Sequence, residues 1–525
     1  MLPMSHSYDI TIIGAGFSGS LLAAIAARLG MRVLLIERQQ HPRFAIGEST
    51  SPLANLLLEE LAVKYNLPLL KPLCNWGSWQ KSCPQIVGGL KWGFTYYAHT
   101  LDHEYVNSRE KQLLVAASPN DSLADTHWMR SDVDTLFLQQ ALEAGVTYRD
   151  RTTVQSVHRA NQAGLWQLHC STGSDSYTVA SSLVVDAGGP RGLLHRVLSL
   201  PSGGFDGYPD TQALFSHFEG VSLCEELIPN SAKPPYPPDN AAVHHLFDGG
   251  WIWMLRFRNG VVSAGASLSD CMAASIDIAA DPLQAWGRLL HRLPTVERLF
   301  AHSKPVQPFM HLPRIAWRAA KAGGKGWALL PSAAASIDPL FSTGFPLALL
   351  GVQRIAEQLK QNGTAADFEE YGEITLQEAD TTAEYVAACL RTTGHFQLFL
   401  PLTQFYFASA SYSEVCHRIG THCSRDRFLS AHNASFWQEM HCSIQSVYKM
   451  LAEPECSFNF FDKVRSAIEP INIAGLADEV KQNWYGVDLN DLVVNANKLG
   501  LTSESMKAIL QDAEWAKNTE TEENQ

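Results

Sequence analysis

An α/β fold is predicted by three observations. Residues Ile10 to Glu37 pass from an apolar stretch through a glycine-rich turn into a helical stretch and a second apolar stretch. Apolar stretches ending in turns return at Ser182 and Trp327. Between and after them the pattern changes, to alternating strands from about Phe205 to Trp317 and to helices beyond about Ala365. A parallel strand-helix-strand domain, interrupted by an inserted β-sheet domain and followed by a helical region, accounts for all three. At 525 residues, 46% hydrophobic and 18% charged, the chain has the length and composition of a globular protein of two or three units.

The first unit reads ITIIGAGFSGSLLAAIAARLGMRVLLIE. Gly14, Gly16 and Gly19 have GxGxxG spacing, with Phe17 and Ser18 inside the loop. Gly14 permits the tight turn, Gly16 lets backbone approach a pyrophosphate, and Gly19 allows close helix packing, while the helix N-terminus offers unpaired amides to phosphate. Glu37 ends the second strand, with Arg38 beside it, where a carboxylate hydrogen-bonds a ribose hydroxyl. Strand, helix, strand and acidic terminus in this order predict a dinucleotide site.

HPRFAIGESTSP, from His41, leads into the helical LANLLLEELAVKY, which Ser49, Thr50 or Ser51 can cap and whose first turn suits Pro52. Trp76 to Tyr97, aromatic and glycine-rich, reads as loop plus strand rather than helix. A helix is predicted from Arg130, and SLVVDAGG from Ser182 is a buried strand ending in a glycine turn. GGWIWMLRFRNGVVSAGASL predicts paired strands, and the block from Trp327 is again strand, turn and helix. The expected organisation is a nucleotide domain over 1–200, a β-rich substrate domain over 201–320, a closing nucleotide segment over 321–365, and a helical region over 366–525 ending in a disordered acidic tail.

The net charge of −13 argues against a nucleic-acid partner. No run approaches the roughly 18 to 20 apolar residues of a membrane span, and the first apolar block is already the nucleotide strand, so a cytoplasmic location is expected. The ten cysteines include no CxxC pair, which predicts buried free thiols rather than a zinc site or a disulfide framework.

Taken together, GAGFSG with Glu37, GEST at Gly47 to Thr50, VVDAGG at Val184 to Gly189, IDPLFSTG at Ile337 to Gly344 and WIW at Trp251 to Trp253 resemble the flavin-dependent halogenases of the FAD monooxygenase superfamily. The resemblance implies a GR2-type Rossmann-like domain holding FAD. Gly14, Gly16, Phe17, Ser18, Gly19, Glu37, Arg38 and Arg130 would lie along the cofactor, with Glu48, Ser49, Asp186, Gly188 and Ser332. Ser342, Thr343 and Gly344 would line the flavin and a chloride or bromide pocket. Because only one dinucleotide loop is present, reduced FAD is expected from a separate reductase. Relatives convert halide to hypohalous acid, which a lysine directs onto an electron-rich aromatic.

Several positions bear on that chemistry. Ile86, or Val87, aligns where the lysine is expected, leaving Lys81 and Lys91 as substitutes. Strand alternation puts Lys91 on the face of Val87 and Gly89, and a solvated lysine is its other reading. Pro331 and Ser332 replace the usual Gly-Asp that binds the ribityl chain. Asp338 is either the carboxylate near the reacting centre or a helix cap, and Trp251 and Trp253 share one strand face, as a screen between flavin and substrate or as core. His127, His244 and His245 are base candidates without assignment. Halogenation of a phenol, pyrrole or indole, free or tethered to a carrier protein, is the leading expectation. A monooxygenase or oxidase on the same scaffold follows if Ile86 has displaced the lysine, and a degenerate FAD-binding protein if Pro331 and Ser332 abolish function.

Overall fold

The computed structural model describes residues 6–159, 164–229, 232–420, 427–430, 434–453 and 460–512; the acidic tail expected at the C-terminus lies outside them. In chain order the first elements are β1 (His6–Ile13), α1 (Phe17–Arg28), β2 (Val33–Ile36), α2 (Pro52–Lys64), α3 (Trp76–Ser82), β3 (Gly88–Lys91), β4 (Gly93–Ala98) and β5 (Gln112–Ala116). They are followed by β6 (Asp125–Trp128), α4 (Arg130–Glu143), β7 (Thr147–Arg149), β8 (Thr153–Arg159), β9 (Trp166–Thr172) and β10 (Asp175–Asp186).

The α/β architecture is present. β1 pairs in parallel with β2, from Ile10–Val33 to Ile13–Ile36, and with β10, from His6–Val179 to Ile13–Asp186. β7 flanks β2, and the strand Trp327–Leu329 flanks β10, also in parallel. The segment after Trp327 therefore returns to the first sheet, and β2 is buried along its whole length, as a sheet covered on both faces requires. The early half of β10 pairs antiparallel with β9, which carries β8.

The second sheet has nine strands and is wider than the inserted segment 201–320. Its centre, Thr211–Glu219, Val262–Ser269, Gly250–Arg256 and Ala242–Phe247, comes from that segment, but β4 and β5 extend it beyond Ala242–Phe247 and Trp484–Tyr485 closes the edge. β4, GFTYYA, is buried at every position, and such a strand needs neighbours on both edges and cover on both faces. The reading of Trp76 to Tyr97 as loop plus strand is corrected at its start. Asn75 accepts a hydrogen bond from the Ser78 amide (2.8 Å), and that cap starts α3 despite Gly77.

Long helices Gly344–Asn362, Glu369–Arg391, Phe396–Ile419 and Ala434–Ala452 make up most of the remainder. Eight described cysteines are free, six of them buried. Among the described residues no helix is long and apolar enough to cross a membrane, and no three metal-binding side chains cluster.

Candidate functional site

The glycine loop is shaped by contacts that exclude side chains. Gly14 has φ +108°, and a Cβ there would lie 2.6 Å from Ala187 O in the glycine turn after β10. A Cβ on Gly19 would fall 2.1 Å from Gly14 O. Gly16 caps α1 with no side-chain hydrogen bond, so the first-turn amides of α1 remain free donors. Glu37 is buried, its oxygens accepting from Ala15 N (3.0 Å) and Gln39 N (2.9 Å). Burial opposes its charge, yet the Gln39 amide, Arg43 and the Ala15 amide outweigh this and hold the carboxyl below its ordinary value. Arg38 is exposed beside it.

Two guanidinium groups face Gly16. Arg130 uses four of its five N–H donors: Nε and Nη2 donate to both oxygens of Asp134 (2.8 and 2.9 Å), and Nη1 donates to Ile46 O and Gly47 O. It fastens the GEST segment to α4 and lies over the Phe17 ring, 5.1 Å from its centroid. Arg43, which the sequence reading passed over, comes within 3.6 Å of a Cβ built on Gly16, and its Nε is buried without a partner. Its only signal in the chain is that, with Arg38, it is one of two arginines between the second strand and GEST.

A second open helix N-terminus meets the first. After IDPLFSTG, with Ser342 at φ +55°, Thr343 begins the helix Gly344–Asn362 and its side chain makes no cap bond. A Cβ on Gly344 would meet nothing within 4 Å. Phe345 on this helix stacks on Phe17 of α1 with centroids 4.8 Å apart, so the two starts adjoin. Two sets of free amides, an unpartnered arginine donor and open space at Gly344 fit the pyrophosphate and an electron-rich ring system of FAD. The other residues named for the cofactor are more occupied. Asp186 closes its own turn by accepting from Gly188 N and Leu194 N (2.8 Å each), Glu48 is bonded to His217 Nε2 (2.7 Å), and Ser332 is half-buried in the short helix Pro331–Ala334. Ser49 keeps a buried hydroxyl without a partner, and Ser18 is buried in the first turn of α1.

Lys91 is fully buried, which removes its solvated reading. β3 pairs antiparallel with β6, with Gly89 opposite His127 and Lys91 opposite Asp125. GEST lies along the other edge of β6: Ser49 bridges His127, Trp128 N donates to Glu48 O, and Thr50 N and Oγ1 both donate to Thr126 O. Lys91 Nζ consequently donates to Thr50 O (2.5 Å) and stands 4.1 Å from the Phe94 ring centroid. Burial pushes its ammonium down to about 8, with Asp125 acting in the other direction. Burial likewise lifts Asp125 to about 7 against the pull of Lys91. His127 and His244 are held down to about 3, first by burial and then by Lys91, so both are neutral beside it. Ile86, by contrast, is a half-buried turn residue whose carbonyl accepts from Trp79 Nε1 (2.9 Å), and Lys81 is exposed at the end of α3.

Trp251 and Trp253 do share a face, with rings 5.7 Å apart, and both are buried. Trp251 stacks on His244 and donates from Nε1 to Asp338 Oδ1 (3.2 Å). Asp338 also accepts from Ser267 Oγ and Leu340 N, and it is fully buried, which raises its carboxyl to about 6 in spite of those donors. A raised carboxyl pKa means that the folded state binds the proton more tightly, so stability from this group falls as pH rises from about 4 to about 6, by up to roughly 3 kcal/mol. Asp338→Asn is expected to remove that slope and to melt no lower than the parent above pH 6; a variant with the parent's full pH dependence would show that the slope arises elsewhere.

A cavity of about 350 Å³ opens beside β6. Asp125, Asn55, Phe94, Tyr406 and Phe407 border it, with further apolar walls from the C-terminal region. Tyr406 ties this wall to the IDPLFSTG turn by donating to Phe341 O (2.8 Å), and its ring lies 4.8 Å from Phe341 and 6.3 Å from Phe94. Lys91 thus sits behind Phe94, between the GEST segment and a mostly apolar cavity large enough for a small aromatic.

Comparison with known proteins bears on this arrangement. Residues 9–205 match the family described as FAD dependent oxidoreductase, and residues 126–395, just over half the chain, match the family described as tryptophan halogenase. Monodechloroaminopyrrolnitrin halogenase PrnC of Pseudomonas fluorescens is 28% identical over 406 residues, covering 75% of this chain and 70% of the relative. Tetracycline 7-halogenase of Kitasatospora aureofaciens is 27% identical over 347 residues, covering 64% of this chain and 60% of the relative. The crystal structure of halogenase PltM in complex with phloroglucinol and FAD superposes with a TM-score of 0.80 at 21% identity, covering 90% of this chain and 99% of that one.

Proposed function

Since the chain belongs to the tryptophan halogenase family of FAD-dependent oxidoreductases, we propose that it halogenates a small electron-rich aromatic ring, a phenol, pyrrole or indole, free or presented on a carrier protein. The observation that carries this reading is the placement of Lys91, buried against Thr50 and next to a cavity bordered by Asp125 and aromatic rings. Bound FAD, reduced by a separate reductase, supplies the electrons with which oxygen and a halide become hypohalous acid. The free amides of α1 and of Gly344–Asn362, with Arg43, hold the cofactor. Thr50 O accepts a hydrogen bond from one N–H of Lys91, leaving the others to hold the hypohalous oxygen by charge-assisted hydrogen bonds. The Phe94 ring steadies the ammonium, and the neutral His127 and His244 leave it as the proton donor at that point. Trp251, oriented by Asp338, packs against His244 on the sheet side and keeps water out. The oxygenase reading rested on a displaced lysine, and a buried lysine is present five residues beyond Ile86.

The test is turnover. The FAD-loaded protein, given a flavin reductase, bromide and a panel of phenols, pyrroles and indoles, is expected to yield products carrying the paired-mass signature of bromine. Oxygenated product formed without bromide would replace this reading with the oxygenase one.

A further inference from the structure

Asp125 carries a feature that the holding of FAD and of hypohalous acid leaves unused. It is 3% exposed, stands opposite Lys91 across the β3–β6 ladder, and borders the cavity. Asn55 Nδ2 donates to its Oδ1 (2.8 Å) and fixes its plane, while Oδ2 has no hydrogen-bond partner among the described residues. A buried carboxylate oxygen without a donor is costly to maintain, and this one belongs to a residue that stands opposite Lys91 in the ladder and also borders the cavity. Of the other carboxylates near the site, Asp338 holds three donors, Glu48 holds His217 and Glu414 is paired with Arg418, while Glu59 borders the same cavity from α2 and not from the ladder that faces Lys91.

We propose that Asp125 is the catalytic base that accepts the proton shed by the aromatic ring, and that it returns that proton to Lys91. This rests on the halogenation reading above. As the carbon–halogen bond forms from ring electrons, the halogen–oxygen bond breaks with its pair going to oxygen. That oxygen takes a proton from Lys91 and leaves as water. The ring carbon's proton passes to Asp125 Oδ2 and then, by way of the released water, to the Lys91 amine. The sum is aromatic C–H plus hypohalous acid giving aromatic C–halogen plus water, with the protein unchanged.

The charged and titratable groups around this pair are Lys91 on β3, His127 on β6, Glu59 on α2, His244 on Ala242–Phe247, and Tyr406, Glu414 and Arg418 on Phe396–Ile419. The histidines are neutral throughout the working range, and Glu414 is paired with Arg418 (2.5 Å). Asp125 must be ionised to accept the proton and Lys91 protonated to donate one. Halogenation therefore falls as pH drops through about 7 and falls again as pH rises through about 8.

Bromination of phloroglucinol by the reductase-coupled holoenzyme is the assay, beside bromination of a dione scavenger that captures free hypobromous acid. Asp125→Asn is expected to keep its FAD and its scavenger bromination, to lose roughly 100-fold in phloroglucinol bromination, and to lose the acid limb of the pH profile. Asp125→Ala should recover part of the rate with added formate, which a structural role would not allow. Bromination by Asp125→Asn within threefold of the parent with an unchanged profile overturns the proposal. If neither variant folds, the parent's own profile decides, since absence of an acid limb near pH 7 overturns it equally. A parent that brominates its scavenger but no aromatic, or forms no hypobromous acid at all, overturns the functional reading and the base with it.

Discussion

Lys91→Met is expected to lower bromination of any accepted aromatic by about 10³-fold while FAD content stays at the parent's level. The lysine contacts Thr50 O, Phe94 and, through the ladder, Asp125, and none of these belongs to the two open helix starts proposed to hold the cofactor. Hypobromous acid should still form, and with no ammonium to hold it, it should escape and brominate an added scavenger. The fold should tolerate the change. Methionine has a similar length, and replacing a buried charge with an apolar side chain removes a desolvation cost. Asp125, no longer opposite a cation, takes up a proton near neutral pH. A Lys91→Met protein with parental bromination would remove the lysine from the chemistry. One that loses FAD as well would make it a structural residue.

Gly19→Ala is expected to have the largest effect on cofactor binding. The new Cβ would lie 2.1 Å from Gly14 O and 2.9 Å from Ala187 Cβ, in the one place where α1, the β1 turn and the turn after β10 converge. The nearest atom is backbone, so the turn itself must shift and the α1 amides with it. Overpacking of this kind costs about 1–3 kcal/mol of stability or more, and the displaced donors should weaken FAD binding by at least about 100-fold. Flavin absorbance per protein after desalting, with the melting temperature, checks this. A yellow Gly19→Ala protein with the parent's melting temperature would show that the loop is not the cradle.

The parts legible in the sequence were those whose partners lie close in the chain. GAGFSG, its helix and Glu37 span fewer than thirty residues, and the glycine spacing states its own geometry. The arrangement proposed for catalysis is different in kind. Lys91 acquires its setting from β6 and from GEST, which meet only through sheet pairing across Ser49–His127 and Lys91–Asp125. Alternation put Lys91 on the face of Gly89, but no local pattern distinguishes a lysine buried by a distant strand from a solvated one. Asp125 and Asn55 had no motif at all and become a pair only when α2 packs on β6. The helix at Trp76 was hidden by its length and by Gly77, and the capping residue Asn75 was its one signal. β4 was separated from the sheet it joins because its uniformly buried residues carry no alternation to match against distant partners.

The most direct test of the account is a single turnover in two stages. Reduced holoprotein is mixed with oxygen and bromide in the absence of any aromatic, excess bromide and free hypobromous acid are removed by rapid desalting once the flavin has reoxidised, and an aromatic found active in steady turnover is then added. If Lys91 holds the electrophile between cofactor and cavity, the parent gives brominated product after the delay and Lys91→Met gives none. Equal product from both proteins, or none from a parent that brominates the same aromatic in steady turnover, would contradict the role assigned to Lys91.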